Sequence, residues 1–161
     1  MENYKQIAKA AILAAIYVAL CAVFHPISFG PFQFRISEML CLLSIDHLWA
    51  FWGVVIGCFL SNLFLGGLGA VDVIFGTLAT FIACLCAYLL RNCRFHGYPL
   101  LSAFMIAAVN GVIVGIELGY SFKTVDMIPM YMLQVFIGEI AVLAIGLPIY
   151  MKIKDMDFMN K

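Results

Sequence analysis

Apolar residues along this chain fall into long runs separated by brief polar breaks. The runs predict transmembrane helices at roughly 6–24, 33–46, 48–64, 71–90, 99–119 and 129–150, against the 17–25 residues, about, that a bilayer requires. The second run is short for a full span, which leaves it tilted, partly re-entrant or buried by its neighbours. Only Asp46 and His47 separate it from the third. The first apolar run, Ile7 to Phe24, exceeds the roughly 7–15 residues of a secretory signal. Within it, Val18-Ala-Leu-Cys21 places a large leucine before the cysteine, a poor lipoprotein box. An uncleaved first helix is therefore expected. No soluble segment, low-complexity tract or long linker interrupts the runs, so residues 1–161 read as one integral membrane domain, an all-α bundle of about six transmembrane helices.

Composition agrees. The 161 residues are 65% hydrophobic and 11% charged, where a soluble domain carries about 45–50% and about 25%. The formal net charge is zero, and nothing suggests a nucleic-acid partner. The distribution of charge matters more than its sum. In a six-span topology Lys5, Lys9, Arg91, Arg94, Lys152, Lys154 and Lys161 fall on one side, and only Arg35 and Lys123 on the other. The positive-inside bias then predicts cytoplasmic termini in the cell membrane.

Small residues form ridges. Ala8, Ala11, Ala15, Ala19 and Ala22 lie within about 80° of arc on the first helix. The stripe suits either packing inside the bundle or a partner helix, because small side chains let backbones approach closely in lipid. Gly53, Gly57 and Ser61, and Ala103, Ala107, Gly111, Gly115 and Gly119, read as internal packing faces. The six cysteines read as small buried hydrophobes: there is no Cys-x-x-Cys, and Cys84 and Cys86 point roughly 200° apart on a helix. His25, His47 and His96 offer no ligand cluster, and no metal or cofactor is expected.

Polar residues within the spans are few and costly in lipid unless paired or used. In the six-span topology Arg35, Glu38, Asn62, Asp72, Glu117 and Lys123 gather toward the outer side, with Asn110 and Glu139 nearer the middle. Arg35 and Glu38, three apart, share a helix face, as a capping ion pair or as part of a ligand site. Asn110 and Glu117 share another face, and Tyr131, Gln134 and Gly138 a third. Four carboxylates suit a cavity open to the outside. Leu65-Gly-Gly-Leu-Gly69 predicts a tight turn, without the lysine or the spacing of a phosphate loop. No Walker sequence occurs, so this chain does not itself hydrolyse ATP. Without a nucleophile–base pair an enzyme is the weaker class; an intramembrane transferase using carboxylates is its form.

Several of these segments resemble one family. Ile27-Ser-Phe-Gly-Pro-Phe-Gln-Phe-Arg-Ile-Ser-Glu38, Ser61-Asn-Leu-Phe-Leu-Gly-Gly-Leu-Gly69, Asp72-Val-Ile-Phe-Gly-Thr-Leu-Ala-Thr80, Asn110-Gly-Val-Ile-Val-Gly-Ile-Glu117 and Gly138-Glu139 look like the QueT family. Its members are substrate-binding S components of energy-coupling factor (ECF) transporters. The resemblance implies a six-helix bundle with cytoplasmic termini and a separate energising module of one membrane subunit and two ATPases. It implies queuosine precursors as substrate, 7-deazaguanines such as preQ0, preQ1 or queuine. It also implies docking of the membrane subunit on first-helix alanines, here Ala8, Ala11, Ala15 and Ala19. Such a base presents adjacent N–H donors, which a single carboxylate accepts side by side. Glu38, Asp72, Glu117 and Glu139 are the candidate acids, with Glu139 and Glu38 first. Asn62, Asn110 and Gln134 would meet the carbonyl and ring nitrogen. Phe29, Phe32, Phe34 or Tyr131 would stack on the base, and Arg35 would orient Glu38. The alternatives are a stand-alone ion-coupled carrier, with Glu117 and Glu139 as its protonatable groups, and an S component for another vitamin-like substrate.

Overall fold

The computed structural model describes residues 2–28 and 34–156. Among them five helices are long and apolar enough to cross a membrane. They are α1 (Glu2–Val23), α3 (Leu48–Leu65), the helix Asp72–Leu89, α5 (Leu100–Ser121) and α6 (Ile128–Ile153). The helix Asp72–Leu89 opens with a π turn, Asp72–Gly76, and continues as α4 (Thr77–Leu89). A single short turn of helix, α2 (His25–Ser28), follows α1. The bundle is all α, as expected, and the five long spans match their predicted positions to within a few residues.

The run at 33–46 is not a membrane-length helix. Its described part is a ten-residue 3₁₀ helix, Ile36–Ile45. Ten residues rise about 20 Å in a 3₁₀ helix and only about 15 Å in an α-helix. The tighter winding thus gains reach for a segment too short to span as α. It runs between the two ends of the bundle: Arg35 approaches Asp72 at one end, and Asp46 meets Arg94 and Tyr150 at the other. Runs of 3₁₀ beyond three or four residues are uncommon. This one is sheltered, packing against α1, α3, α4 and α6, with Ser37, Glu38 and Cys41 to Ile45 buried. Less regular backbone at membrane depth is tolerated where protein covers it. With three residues per turn, Arg35, Glu38, Cys41 and Ser44 fall in one row, and the Ser44 hydroxyl donates to the Cys41 carbonyl at 2.6 Å.

Glycines set the helix crossings. A Cβ on Gly53 would lie 2.8 Å from the Ala10 carbonyl oxygen, and one on Gly57 2.7 Å from Tyr17 Cβ, so α1 and α3 touch through backbone. On α5, Gly111 meets Met132 and Phe136 of α6, and Gly119 meets Ile128. Both glycine ridges are internal packing faces. Gly115 is the tightest against the backbone of a neighbouring helix: a Cβ there would sit 2.6 Å from both N and Cα of Met132. Backbone cannot swing aside as a side-chain tip can. Gly115→Ala should therefore push α5 from α6 and cost about 1–3 kcal/mol, the usual range for overpacking. A thermal melt of the detergent-solubilised protein checks this; an unchanged midpoint would mean that the α5–α6 crossing is loose enough to take a methyl group.

The six cysteines form no disulfide, and Cys21, Cys41, Cys58 and Cys84 are buried. The outer face of the bundle is apolar, with Ile12 and Ile16 on α1, Trp52, Ile56 and Phe59 on α3, and Ile137 and Ile145 on α6 exposed. The residues at one end tie two breaks to the last turns of α6. Arg94, in the connection after α4, donates to Asp46 at 2.5 Å and to the Tyr150 hydroxyl at 3.3 Å, and Tyr150 donates to the second oxygen of Asp46. His47, beside this network, is held below the usual imidazole range, chiefly by burial.

Candidate functional site

The Glu38 carboxylate is the centre of the buried polar residues. Its Oε1 accepts from the Tyr17 hydroxyl of α1 and from Thr80 Oγ1 of α4 at 3.1 Å. Its Oε2 accepts from Cys41 Sγ at 2.8 Å and from Asn110 Nδ2 of α5 at 3.4 Å. Donors from α1, α4, α5 and the 3₁₀ segment itself thus converge on one side chain that is 1% exposed. A buried carboxylate persists only with such donors around it. The 3₁₀ winding explains the Cys41 contact, since residues three apart lie one above the other.

Beside Glu38 is a cavity of about 10 Å³ lined by Arg35, Glu38, Asn110, Val114, Val135 and Glu139, room for about one water. Any larger ligand must part the lining helices. Glu139, from α6, is 2% exposed, and its Oε2 has no hydrogen-bond partner. Asn110 faces both acids, donating to Glu38 and lying beside Glu139. The cavity therefore presents one carboxylate already satisfied, Glu38, and one with an oxygen to spare, Glu139.

A second polar group lies toward the Leu65–Gly69 turn. Asp72, first residue of the π turn, accepts the Leu68 N–H at 2.8 Å and stands 4.0 Å from Arg35 Nη2. A Cβ on Gly66 would come within 2.9 Å of Asp72 Oδ2, so the turn closes over the carboxylate only because that residue is glycine. Gly69 takes a φ of +64°, the left-handed region that glycine enters without strain. Asn62 donates to Cys58 Sγ at 3.3 Å, while its Oδ1 has no partner. Cys58 also meets Thr80 at 3.2 Å. Glu117 of α5 faces Asp72. It is 3% exposed, and the Asp72 carboxyl is its side-chain hydrogen-bond partner. π turns recur at functional sites.

Of the nine residues expected at the site, Arg35, Glu38, Asn110 and Glu139 share the cavity, and Asn62, Asp72 and Glu117 form the adjoining group. Arg35 reaches Asp72 and Cys58 besides lining the cavity, so its role extends beyond orienting Glu38. The other two expected residues, on α6, stand apart from that lining. Tyr131 is half-buried, bonds Thr124 at 3.2 Å and tilts against Phe122, while Gln134 is half-buried and not among the residues lining the cavity. Val135, one residue on, takes the inward position. Phe34 is half-buried. Phe29 and Phe32, also expected to stack, and the Gly30 and Pro31 turn lie outside the described residues.

Tyr17, Cys41, Cys58 and Thr80 were missed by sequence reasoning. Tyr17 could have been found, because a tyrosine opposite the alanine stripe in mid-span needs a partner for its hydroxyl. Thr80 follows Asp72 by eight residues, on nearly the same helix face. Cys41 and Cys58 look apolar by type, and only their neighbours make them polar. The alanine stripe itself is settled on one point. Ala8, Ala11, Ala15, Ala19 and Ala22 are all exposed, and α1 packs inward through Leu13, Ala14, Tyr17 and Cys21. Packing within this bundle is not what the stripe does.

Residues 7–155 match the family described as QueT transporter. The chain is also similar to the queuosine precursor transporter QueT of Lactococcus lactis subsp. cremoris (strain MG1363), at 33% identity over 144 residues, covering 84% of each chain. No solved structure matches significantly.

Proposed function

Because this chain belongs to the QueT transporter family, we propose that it is the S component of an ECF transporter, binding a queuosine precursor of the 7-deazaguanine class. The observation that carries the reading is the pairing, in one buried cavity, of a fully bonded acid with an acid that has an acceptor to spare. Glu139 is the acceptor for the adjacent N–H donors of the base, where two charge-assisted bonds form side by side. Asn110 supplies amide contacts, and Glu38 holds the cavity wall. A base is far larger than the cavity of about 10 Å³, so the lining helices part to admit it. Binding faces outward and the termini are cytoplasmic, which the seven-to-two placement of Lys and Arg supports. Energy comes from two ATPase subunits through a membrane subunit that docks on the exposed stripe of α1, and this chain performs no catalysis.

Isothermal calorimetry of 7-deazaguanines on the purified protein and on Glu139→Gln tests the assignment. The parent should bind, and the variant should bind at least tenfold more weakly, about 1.4 kcal/mol, with an unchanged melting point. Tight binding of an unrelated vitamin by the parent, or equal affinity in the variant, would refute it. Uptake in cells lacking every coupling-factor subunit would instead favour an ion-coupled carrier.

A further inference from the structure

We propose that the Asp46–Arg94–Tyr150 network is a latch that holds the cavity shut. These three residues lie at the far end of the segment Ile36–Ile45 from Arg35, and they set the affinity of the site without touching its ligand. The inference deepens the function proposed above and rests on it for the ligand used in the test.

The cavity has one wall that can move. Its lining comes from α5 (Asn110 and Val114), from α6 (Val135 and Glu139), and from Arg35 and Glu38 at the start of the 3₁₀ segment. α5 and α6 cross backbone to backbone, with Gly111 and Gly115 against Met132 and Phe136, so that pair does not part easily. The 3₁₀ segment is different. Its winding is uncommon at ten residues, and it is moored near both ends. Asp46 accepts from Arg94, on the α4–α5 connection, and from Tyr150 of α6. Glu38 is moored to α1 and α4 through Tyr17 and Thr80. Across the cavity Glu38 has the Asn110 bond, which at 3.4 Å is the longest of its four.

Eight residues lead from Glu38 to Asp46. They rise about 16 Å in 3₁₀ winding and about 12 Å in α winding. With the moorings where they are, only the longer form reaches both. Once Asp46 is released, the segment is free to wind as α. It then shortens by about 4 Å, and every three residues turn back by about 60°. Arg35 leaves the row of Glu38, and the wall that the two form opposite Asn110 and Glu139 opens. The latch is suited to release. The side chains of Asp46 and Arg94 are 27% and 24% exposed, and ion pairs that water reaches contribute little. The closed cavity has room for about one water, so a base binds the open form. A ligand of a minor form loses affinity in proportion to how rarely that form occurs. The latch therefore lowers affinity, and breaking it tightens binding.

Calorimetry with 7-aminomethyl-7-deazaguanine compares the parent with Arg94→Gln, Tyr150→Phe and Lys154→Gln. Arg94→Gln should bind at least fivefold more tightly, and Tyr150→Phe should fall between it and the parent. Lys154→Gln removes a charge at the same end, where Lys154 pairs only with its neighbour Asp155, and should bind as the parent does. A network that merely supported the fold would weaken binding when broken. Hydrogen exchange read by mass spectrometry needs no ligand. In Arg94→Gln the amides of 36–45 should exchange at least tenfold faster, and those of 103–119 within twofold of the parent. Equal or weaker binding by Arg94→Gln, equal tightening in Lys154→Gln, or exchange that rises throughout or nowhere would overturn the latch while the proposed function stands. If the parent binds no base, the proposed function falls and the exchange pattern alone decides the latch. Should Arg94→Gln fail to fold, Tyr150→Phe decides with the same signs.

Discussion

Glu38→Ala should lower the melting temperature of the solubilised protein by roughly 10 °C and abolish binding of any base. The substitution strands the Tyr17 and Thr80 hydroxyls, the Cys41 thiol and the Asn110 amide, all buried. Each orphaned donor costs about 1–3 kcal/mol, and donors that share one acceptor do not add fully. A total of about 3–5 kcal/mol, typical of breaking a buried charged network, corresponds to that shift at about 2–4 °C per kcal/mol for a chain of this size. Glu38→Gln should fall between. Its amide keeps one acceptor oxygen for two of the donors and turns an N–H₂ toward the others. Binding and stability thus fail together at Glu38, whereas at Glu139, with an oxygen that bonds nothing in the protein, they separate. A Glu38→Ala melt equal to the parent's would mean that the convergence of four elements on this carboxylate does not hold the bundle together.

Ala15→Trp should reduce uptake to background while the isolated protein binds its base within twofold of the parent. Ala15 is exposed on the face of α1 that points away from the bundle, so an indole there disturbs no contact within this chain. In lipid, an exposed alanine gains little by itself; its use is to let another helix approach to backbone distance. An indole holds that helix off, and dispersion contacts decay over less than 1 Å of added gap. The readouts are uptake in cells and co-purification with the membrane subunit of the energising module. Full uptake and an intact complex would assign the stripe to lipid alone.

The number and position of the long helices were legible because lipid imposes a length and a polarity on each span, and the runs at 48–64 and 99–119 could not be placed in any other way. The glycine ridges were legible for a related reason: in lipid, close approach needs small residues, and Gly57 and Gly115 now sit against Tyr17 and Met132. The identity of the buried acids could also be read, since carboxylates in apolar runs are too costly to be incidental. The winding of Ile36–Ile45 was legible in part, because Arg35, Glu38, Cys41 and Ser44 recur every three residues, a 3₁₀ period, but so short a run does not choose its period alone. Only the packing of four helices around that segment decided it, by compensating for its poorer hydrogen bonds. The partners of each acid were decided the same way. Tyr17 and Thr80 reach Glu38 across 21 and 42 residues of chain, and Val135 rather than Gln134 lines the cavity. One sequence determines which groups must avoid lipid. Which of them meet depends on helix rotation and depth, set by side-chain contacts between distant segments, and that is why Glu38 came to hold four donors and Glu139 came to be left with one oxygen unmet.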